Sequence, residues 1–285
     1  MKVSIDSGSG FCFGVKEAIL AAETELYAGN TVYSLGEIVH NQVQMNTLKS
    51  KGLKVISLAE LPEYKGKKVL FRAHGEPPET YALALKYNIE VIDATCPIVI
   101  KLQKNIKEAS DSSSDLQIVI YGKVGHAEVA GLNGNAGNKA IIIGGTDDFG
   151  KIDFTKPVRL FSQTTMDGEG YLKICNAVEQ RMLESANTDL KIKTSVCRQV
   201  SGRAPLIRKF AALHDVIIFV GGSNSANGAY LYGICHEVNE RSYYVSDIEA
   251  INNLWFQGAA TVGVSGATST PGWLIEQVAS YIEKL

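Results

Sequence analysis

Val91-Ile92-Asp93-Ala94-Thr95-Cys96-Pro97 carries an apolar segment into a cysteine, and a proline then opens a helix-compatible stretch. Within that stretch Val99, Leu102 and Ile106 share one face. Proline is well tolerated in the first helical turn, so Cys96 is expected where the helix begins. The same passage occurs twice more. Val3-Ser4-Ile5 leads to Cys12, and Ile192-Lys193-Thr194-Ser195-Val196 leads to Cys197. The separations suit three α/β units, each about the size of a small domain, expected at residues 1–96, 97–196 and 197–285.

Working outward, further β-branched runs end in glycine-rich turns: Val69-Leu70-Phe71, Ile118-Val119-Ile120-Tyr121, Ile141-Ile142-Ile143, Val216-Ile217-Ile218-Phe219-Val220 and Thr261-Val262-Gly263-Val264. Runs this continuous fit strands covered on both faces, as in parallel sheets. Helical stripes lie between them, on Val15, Ala18, Ile19, Ala22 and Leu26, on Cys175, Val178 and Met182, and on Leu274, Ile275, Val278 and Ile282. The alternation predicts an α/β fold with mostly parallel sheets. Polar residues 110–115 read as a surface loop.

Hydrophobic residues at 45% against 20% charged place the chain among globular proteins, and 285 residues suffice for a real core. A net charge of -2 gives no general attraction to nucleic acid or anionic membrane, so any phosphate must be held by a local pocket. The start has no apolar leader and no run is long enough to span a bilayer, so a cytoplasmic location is expected. Five cysteines, odd in number and scattered, favour metal binding or catalysis over a disulfide framework.

A thiolate is stabilised at a helix start by unpaired N–H groups and the helix dipole. One such ligand from each of three units would leave one corner of a four-iron cluster without a protein ligand, an iron able to act as a Lewis acid. The competing reading is simple burial, because isolated cysteines often serve as small hydrophobes and no Cys-x-x-Cys pair is present. Burial is expected for Cys175 and Cys235, which lie within helical patterns. Gly8-Ser9-Gly10-Phe11-Cys12-Phe13-Gly14 has the wrong spacing for a dinucleotide loop, and no acidic residue ends a second strand at the proper distance.

His40, His74 and His126 follow expected strands in turn-like segments, where the carboxyl ends of parallel strands present ligand-binding groups. Together they could hold a diphosphate, or alternatively a zinc ion. His214 and His236 sit in helical patterns and are expected to be structural. Residues 221–228 and 265–272 are rich in hydroxyls, amides and glycines between strand and helix, a composition that forms anion sites and also ordinary caps. Gln163-Thr164-Thr165 is a weaker case of the same kind. Glu128, two residues past His126, is the best-placed acid for proton delivery; a solvated helix-start carboxylate is the alternative.

Read in order, these segments resemble the hydroxymethylbutenyl diphosphate reductase family over essentially the whole chain. The stretches that carry the likeness begin with Gly10-Phe11-Cys12-Phe13-Gly14-Val15-Lys16, Glu37-Ile38-Val39-His40-Asn41 and Arg72-Ala73-His74-Gly75. They continue with Asp93-Ala94-Thr95-Cys96-Pro97, Gly125-His126-Ala127-Glu128-Val129, Gln163-Thr164-Thr165, Asn224-Ser225-Ala226-Asn227 and Ala267-Thr268-Ser269-Thr270-Pro271. The resemblance implies a trefoil of three α/β units around a central cavity. It implies one [4Fe-4S] cluster on Cys12, Cys96 and Cys197, and a diphosphate held by His40, His74, His126, Ser225, Asn227 and Ser269. Glu128 would supply protons and Thr164 would orient the substrate alcohol. The implied reaction removes an allylic hydroxyl to give isopentenyl and dimethylallyl diphosphates, the last step of the non-mevalonate isoprenoid pathway. Electrons would come from ferredoxin or flavodoxin. A similar three-cysteine cluster acting on another substrate, as in quinolinate synthase-like proteins, is the second enzyme reading, and a phosphate- or metal-binding module with structural cysteines is the non-enzyme one.

The chain departs from the family pattern in three places. Arg198-Gln199-Val200-Ser201-Gly202-Arg203 replaces a Thr-Gln-x-Arg-type stretch, Ala226 stands where a second serine is usual, and Gly272 replaces a common acid. These touch the expected diphosphate pocket and the third unit, and none touches the expected cluster ligands or Glu128.

Overall fold

A computed structural model describes residues 1–285 apart from Ala226. The strands form three four-stranded sheets, an α/β architecture in agreement with the sequence pattern. The chain divides into two compact units, one formed by Met1–Val55 with Gly202–Leu285 and the other by Ile56–Ser201.

In the first unit the sheet order is Lys2–Ile5, Thr261–Gly266, Val216–Val220, Ser242–Val245, with every ladder parallel. Its register sets Val3 beside Val262, Ile218 beside Val264 and Phe219 beside Tyr244. All five residues of Val216–Val220 are buried, and their alternation explains why. Val216, Ile218 and Val220 pack with Leu274, Ile275 and Val278 of helix Gly272–Ile282. Ile217 and Phe219 face the other way, against Ile207, Ala211, Leu231 and Cys235. Each such side chain contributes about 1.5–3 kcal/mol by leaving water. The continuous apolar run is therefore a strand with a helix layer on each face.

The second unit repeats the plan. Its full sheet runs Ile141–Ile143, Gln117–Tyr121, Val158–Ser162, Leu190–Ile192, again parallel throughout. Val119 and Leu160 pack on Ile174, Val178 and Met182, while Ile118, Ile120 and Phe161 pack on Leu102, Ile106 and Leu132. A further parallel ladder joins Lys68–Phe71 to Glu90–Asp93, with Leu70 opposite Ile92.

The expected helical stripes are the buried faces of Phe13–Tyr27, Pro97–Ser112, Gly168–Glu184 and Gly272–Ile282. The polar segment at 110–115 differs from expectation. Helix Pro97–Ser112 continues through its first three residues, supported by the Lys107–Asp111 ion pair at 3.1 Å and by Ser112 Oγ donating to the Ala109 carbonyl at 2.7 Å. Favourable i,i+4 pairing outweighs the loop tendency of the serines there. His214 lies just beyond helix Arg203–Ala212, with Nδ1 2.9 Å from the Phe210 carbonyl oxygen.

Candidate functional site

In the first unit, three loops leave the carboxyl ends of adjacent parallel strands. The first runs from Lys2–Ile5 to Cys12, which caps helix Phe13–Tyr27 from an extended backbone without a side-chain capping bond. Its course is fixed by Asp6. That carboxylate accepts from Gly8 N–H at 3.0 Å and from Ser265 Oγ at 2.7 Å, and pairs with Arg203 Nη2 at 2.9 Å. Arg203 and Asp6 are both buried, and the guanidinium fills the space where a side chain at Gly8 would lie. Arg203 thereby braces the Cys12 loop. The Cys12 N–H itself donates to the Thr268 carbonyl at 3.1 Å.

The second and third loops lie side by side. Ser225 caps helix Ala226–Val238 by accepting from Gly228 N–H at 3.0 Å, and its Oγ lies 3.1 Å from Ser269 Oγ. Asn227 Oδ1 accepts from the Thr268 hydroxyl at 2.9 Å. Thr270 Oγ1 donates to the Val220 carbonyl at 2.9 Å, closing the turn against its neighbouring strand. His40 belongs to the same unit, ahead of helix Gln42–Ser50, and its carbonyl oxygen comes so near Gly222 that a Cβ there would lie 2.3 Å away. Only glycine permits that approach. This unit thus brings Cys12, His40, Ser225, Asn227 and Ser269 into one set of loops. Position 226, whose missing hydroxyl was noted above, is outside the described residues.

The second unit gathers the others. His74 and His126 follow strands Lys68–Phe71 and Gln117–Tyr121, and their rings meet edge to face with centroids 5.2 Å apart. Gly75, directly after His74, has φ +70°, a left-handed conformation that suits glycine, and the Gln103 side chain occupies the space a Cβ would need. His126 caps helix Ala127–Asn135, its Nδ1 accepting from Glu128 N–H at 3.1 Å. In the neutral ring the proton is then on Nε2, which leaves that nitrogen as the donor.

Glu128 is 1% exposed. Its Oε1 accepts from Thr164 N–H at 2.6 Å and its Oε2 from Thr164 Oγ1 at 2.9 Å. Burial pushes the carboxyl up to about 7, against the opposing pull of the two Thr164 bonds. The solvated-carboxylate reading is therefore excluded. Thr164 also accepts at its carbonyl from Cys197 N–H at 2.8 Å. Cys197 immediately precedes the short helix Arg198–Ser201, and its carbonyl accepts from the N–H groups of Val200 and Ser201. Cys96 caps helix Pro97–Ser112, held by its N–H on the Ala73 carbonyl at 3.0 Å.

The five cysteines separate by environment. Cys12, Cys96 and Cys197 are half-buried at helix starts, whereas Cys175 and Cys235 are buried in apolar cores. Burial raises the Cys175 thiol, and it pushes the Cys235 thiol up to about 12. Soft thiolate donors at three accessible helix starts fit an iron–sulfur group, and the two buried thiols do not.

Two residues of the site escaped the sequence reading. Thr268 lies within Ala267-Thr268-Ser269-Thr270-Pro271 but carries no sign that it binds Asn227, and Asp6 looks like an ordinary strand-end acid. A serine- and threonine-rich turn facing an asparagine in a neighbouring loop is the only signal that could have suggested the first.

Comparison with known proteins gives a consistent result. The family described as LytB protein matches residues 3–283. A protein of Phocaeicola vulgatus named 4-hydroxy-3-methylbut-2-enyl diphosphate reductase is 49% identical over 280 residues, covering 97% of this chain and 96% of its own. A solved structure of (E)-4-hydroxy-3-methyl-but-2-enyl diphosphate reductase, described as the terminal enzyme of the non-mevalonate pathway, is 34% identical with a TM-score of 0.76 and covers both chains completely. The structure of a reductase from Plasmodium falciparum shares the fold, with TM-score 0.84 at 23% identity, covering 98% of this chain and 87% of that one.

Proposed function

The chain belongs to the LytB protein family, and from that premise we infer that it is an oxidoreductase, a 4-hydroxy-3-methylbut-2-enyl diphosphate reductase. It removes the allylic hydroxyl of its substrate and yields isopentenyl and dimethylallyl diphosphates. The balance requires two electrons and two protons per turnover, with the hydroxyl leaving as water. The observation that carries the reading is the connected set Glu128–Thr164–Cys197, a buried acid tied through one residue to the backbone of a helix-start cysteine.

Cys12, Cys96 and Cys197 would hold one [4Fe-4S] cluster, which supplies the electrons and a Lewis-acidic iron when bound. Ferredoxin or flavodoxin fits the role of electron donor. His40, His74, His126, Ser225, Asn227 and Ser269 hold the diphosphate, whose charge suits imidazole N–H groups, hydroxyls and a helix N-terminus. His126 donates through Nε2, since Nδ1 is engaged by the Glu128 N–H. Hydroxide is a poor leaving group, so an acid must deliver a proton as the C–O bond breaks. Glu128 suits that task because a carboxyl near 7 still carries its proton around neutral pH. Thr164 holds both carboxyl oxygens and orients the substrate alcohol beside them. No described helix is long and apolar enough to cross a membrane.

The test is anaerobic turnover of the hydroxylated diphosphate with a chemical reductant. Formation of both five-carbon diphosphates is expected. Protein that stays colourless and iron-poor after reconstitution, or iron-loaded protein that gives neither product, would overturn the assignment.

A further inference from the structure

Among the described residues, the side-chain hydrogen bonds of Asn227 go to a single residue of the neighbouring loop. The Thr268 backbone N–H lies 3.3 Å from Asn227 Oδ1, and the Thr268 hydroxyl lies 2.9 Å from the same atom. A main-chain N–H can only donate, so the amide atom facing it is the oxygen. The nitrogen Nδ2 is then turned away from Thr268. It is shielded from solvent and has no partner among the described residues. A buried amide donor left in this way is costly unless something accepts from it. Thr268 itself is anchored independently of its side chain, because its carbonyl accepts the Cys12 N–H at 3.1 Å.

We propose that Thr268 is a positioning residue that locks the Asn227 amide so that Nδ2, and not Oδ1, is presented to the diphosphate. This rests on the reading of Asn227 as a diphosphate ligand. Without the lock the amide can turn over, and Oδ1 then repels the anion that Nδ2 attracts. The backbone N–H sets the sense of the amide, and the shorter hydroxyl contact adds the hold that keeps it there.

The experiment compares wild type, Thr268→Val, Thr268→Ser, Asn227→Ala and the double variant Thr268→Val with Asn227→Ala, all as iron-loaded protein. Inorganic pyrophosphate binding is read by calorimetry, and KM and kcat by anaerobic turnover. Thr268→Val is expected to weaken pyrophosphate binding and raise KM roughly three- to tenfold with kcat little changed, and Thr268→Ser to restore both. In the Asn227→Ala background the valine should have no further effect. Equal binding by wild type and Thr268→Val, with Asn227→Ala clearly weaker, overturns the lock but leaves Asn227 as a ligand. An unaltered Asn227→Ala overturns both. A valine effect of the same size in the Asn227→Ala background shows that Thr268 acts by another route, and sinks the proposal.

Discussion

Thr164 grips Glu128 through both of its donors, the backbone N–H on one carboxyl oxygen at 2.6 Å and the hydroxyl on the other at 2.9 Å. A carboxyl so enclosed has one rotamer and one orientation, while its burial keeps a proton on it near neutrality.

Glu128→Gln preserves size and one acceptor for the Thr164 N–H, with its amide nitrogen able to donate to the Thr164 hydroxyl, but removes the transferable proton. Turnover is expected to fall by about 10²- to 10⁴-fold, the usual worth of a positioned acid. Iron content and pyrophosphate affinity should match wild type. Steady-state rates alongside iron assay and calorimetry check this, and a wild-type rate would remove Glu128 from the reaction.

The pH dependence has a definite sign. The acid form of Glu128 is the active one, so kcat should hold below pH 7 and decline as pH rises through about 7. Stability follows the same carboxyl. Its folded value lies above the ordinary 4.5, so the native state binds the extra proton between those values. The contribution is complete below the lower value and is lost as pH rises through the upper one. Thr164→Val deletes a bond that favours the charged form, so the decline in kcat should move to higher pH. A descending limb at the same pH in wild type and Thr164→Val would contradict this account.

Cys197→Ser, like Cys12→Ser and Cys96→Ser, is expected to lose most bound iron after anaerobic reconstitution. Cys175→Ser should keep it, because that thiol lies in an apolar core. Iron and sulfide per chain, with the visible spectrum, decide the matter; equal iron in all four proteins would refute the ligand set.

Gly222→Ala sets a methyl group against the His40 carbonyl oxygen, with no flexible side chain able to yield. Destabilisation of about 1–3 kcal/mol is expected. Thermal melting measures it, and an unchanged midpoint would show that the 221–228 loop shifts freely.

The sequence announces elements whose cause is local. Val216–Val220 reads as a doubly covered strand because all five side chains are apolar, and Pro97 marks a helix start beside Cys96. Other features depend on groups distant in the chain. Glu128 meets Thr164 across 36 positions and Asp6 meets Ser265 across 259. Neither partner differs in type from an ordinary surface residue, so burial and pairing emerge only when the strands are laid together. At residues 110–112 local composition points to a loop, whereas the helix begun at Pro97 continues through them, with Asp111 paired to Lys107.

Residue 164 holds one oxygen of the acid through its amide hydrogen and the Cys197 backbone through its carbonyl, so a residue of threonine's size can keep both main-chain bonds, whereas proline, lacking the amide hydrogen, loses the first. Serine and valine at this codon, close to threonine in size, would therefore isolate what the hydroxyl alone contributes, with the scaffold on either side held nearly constant.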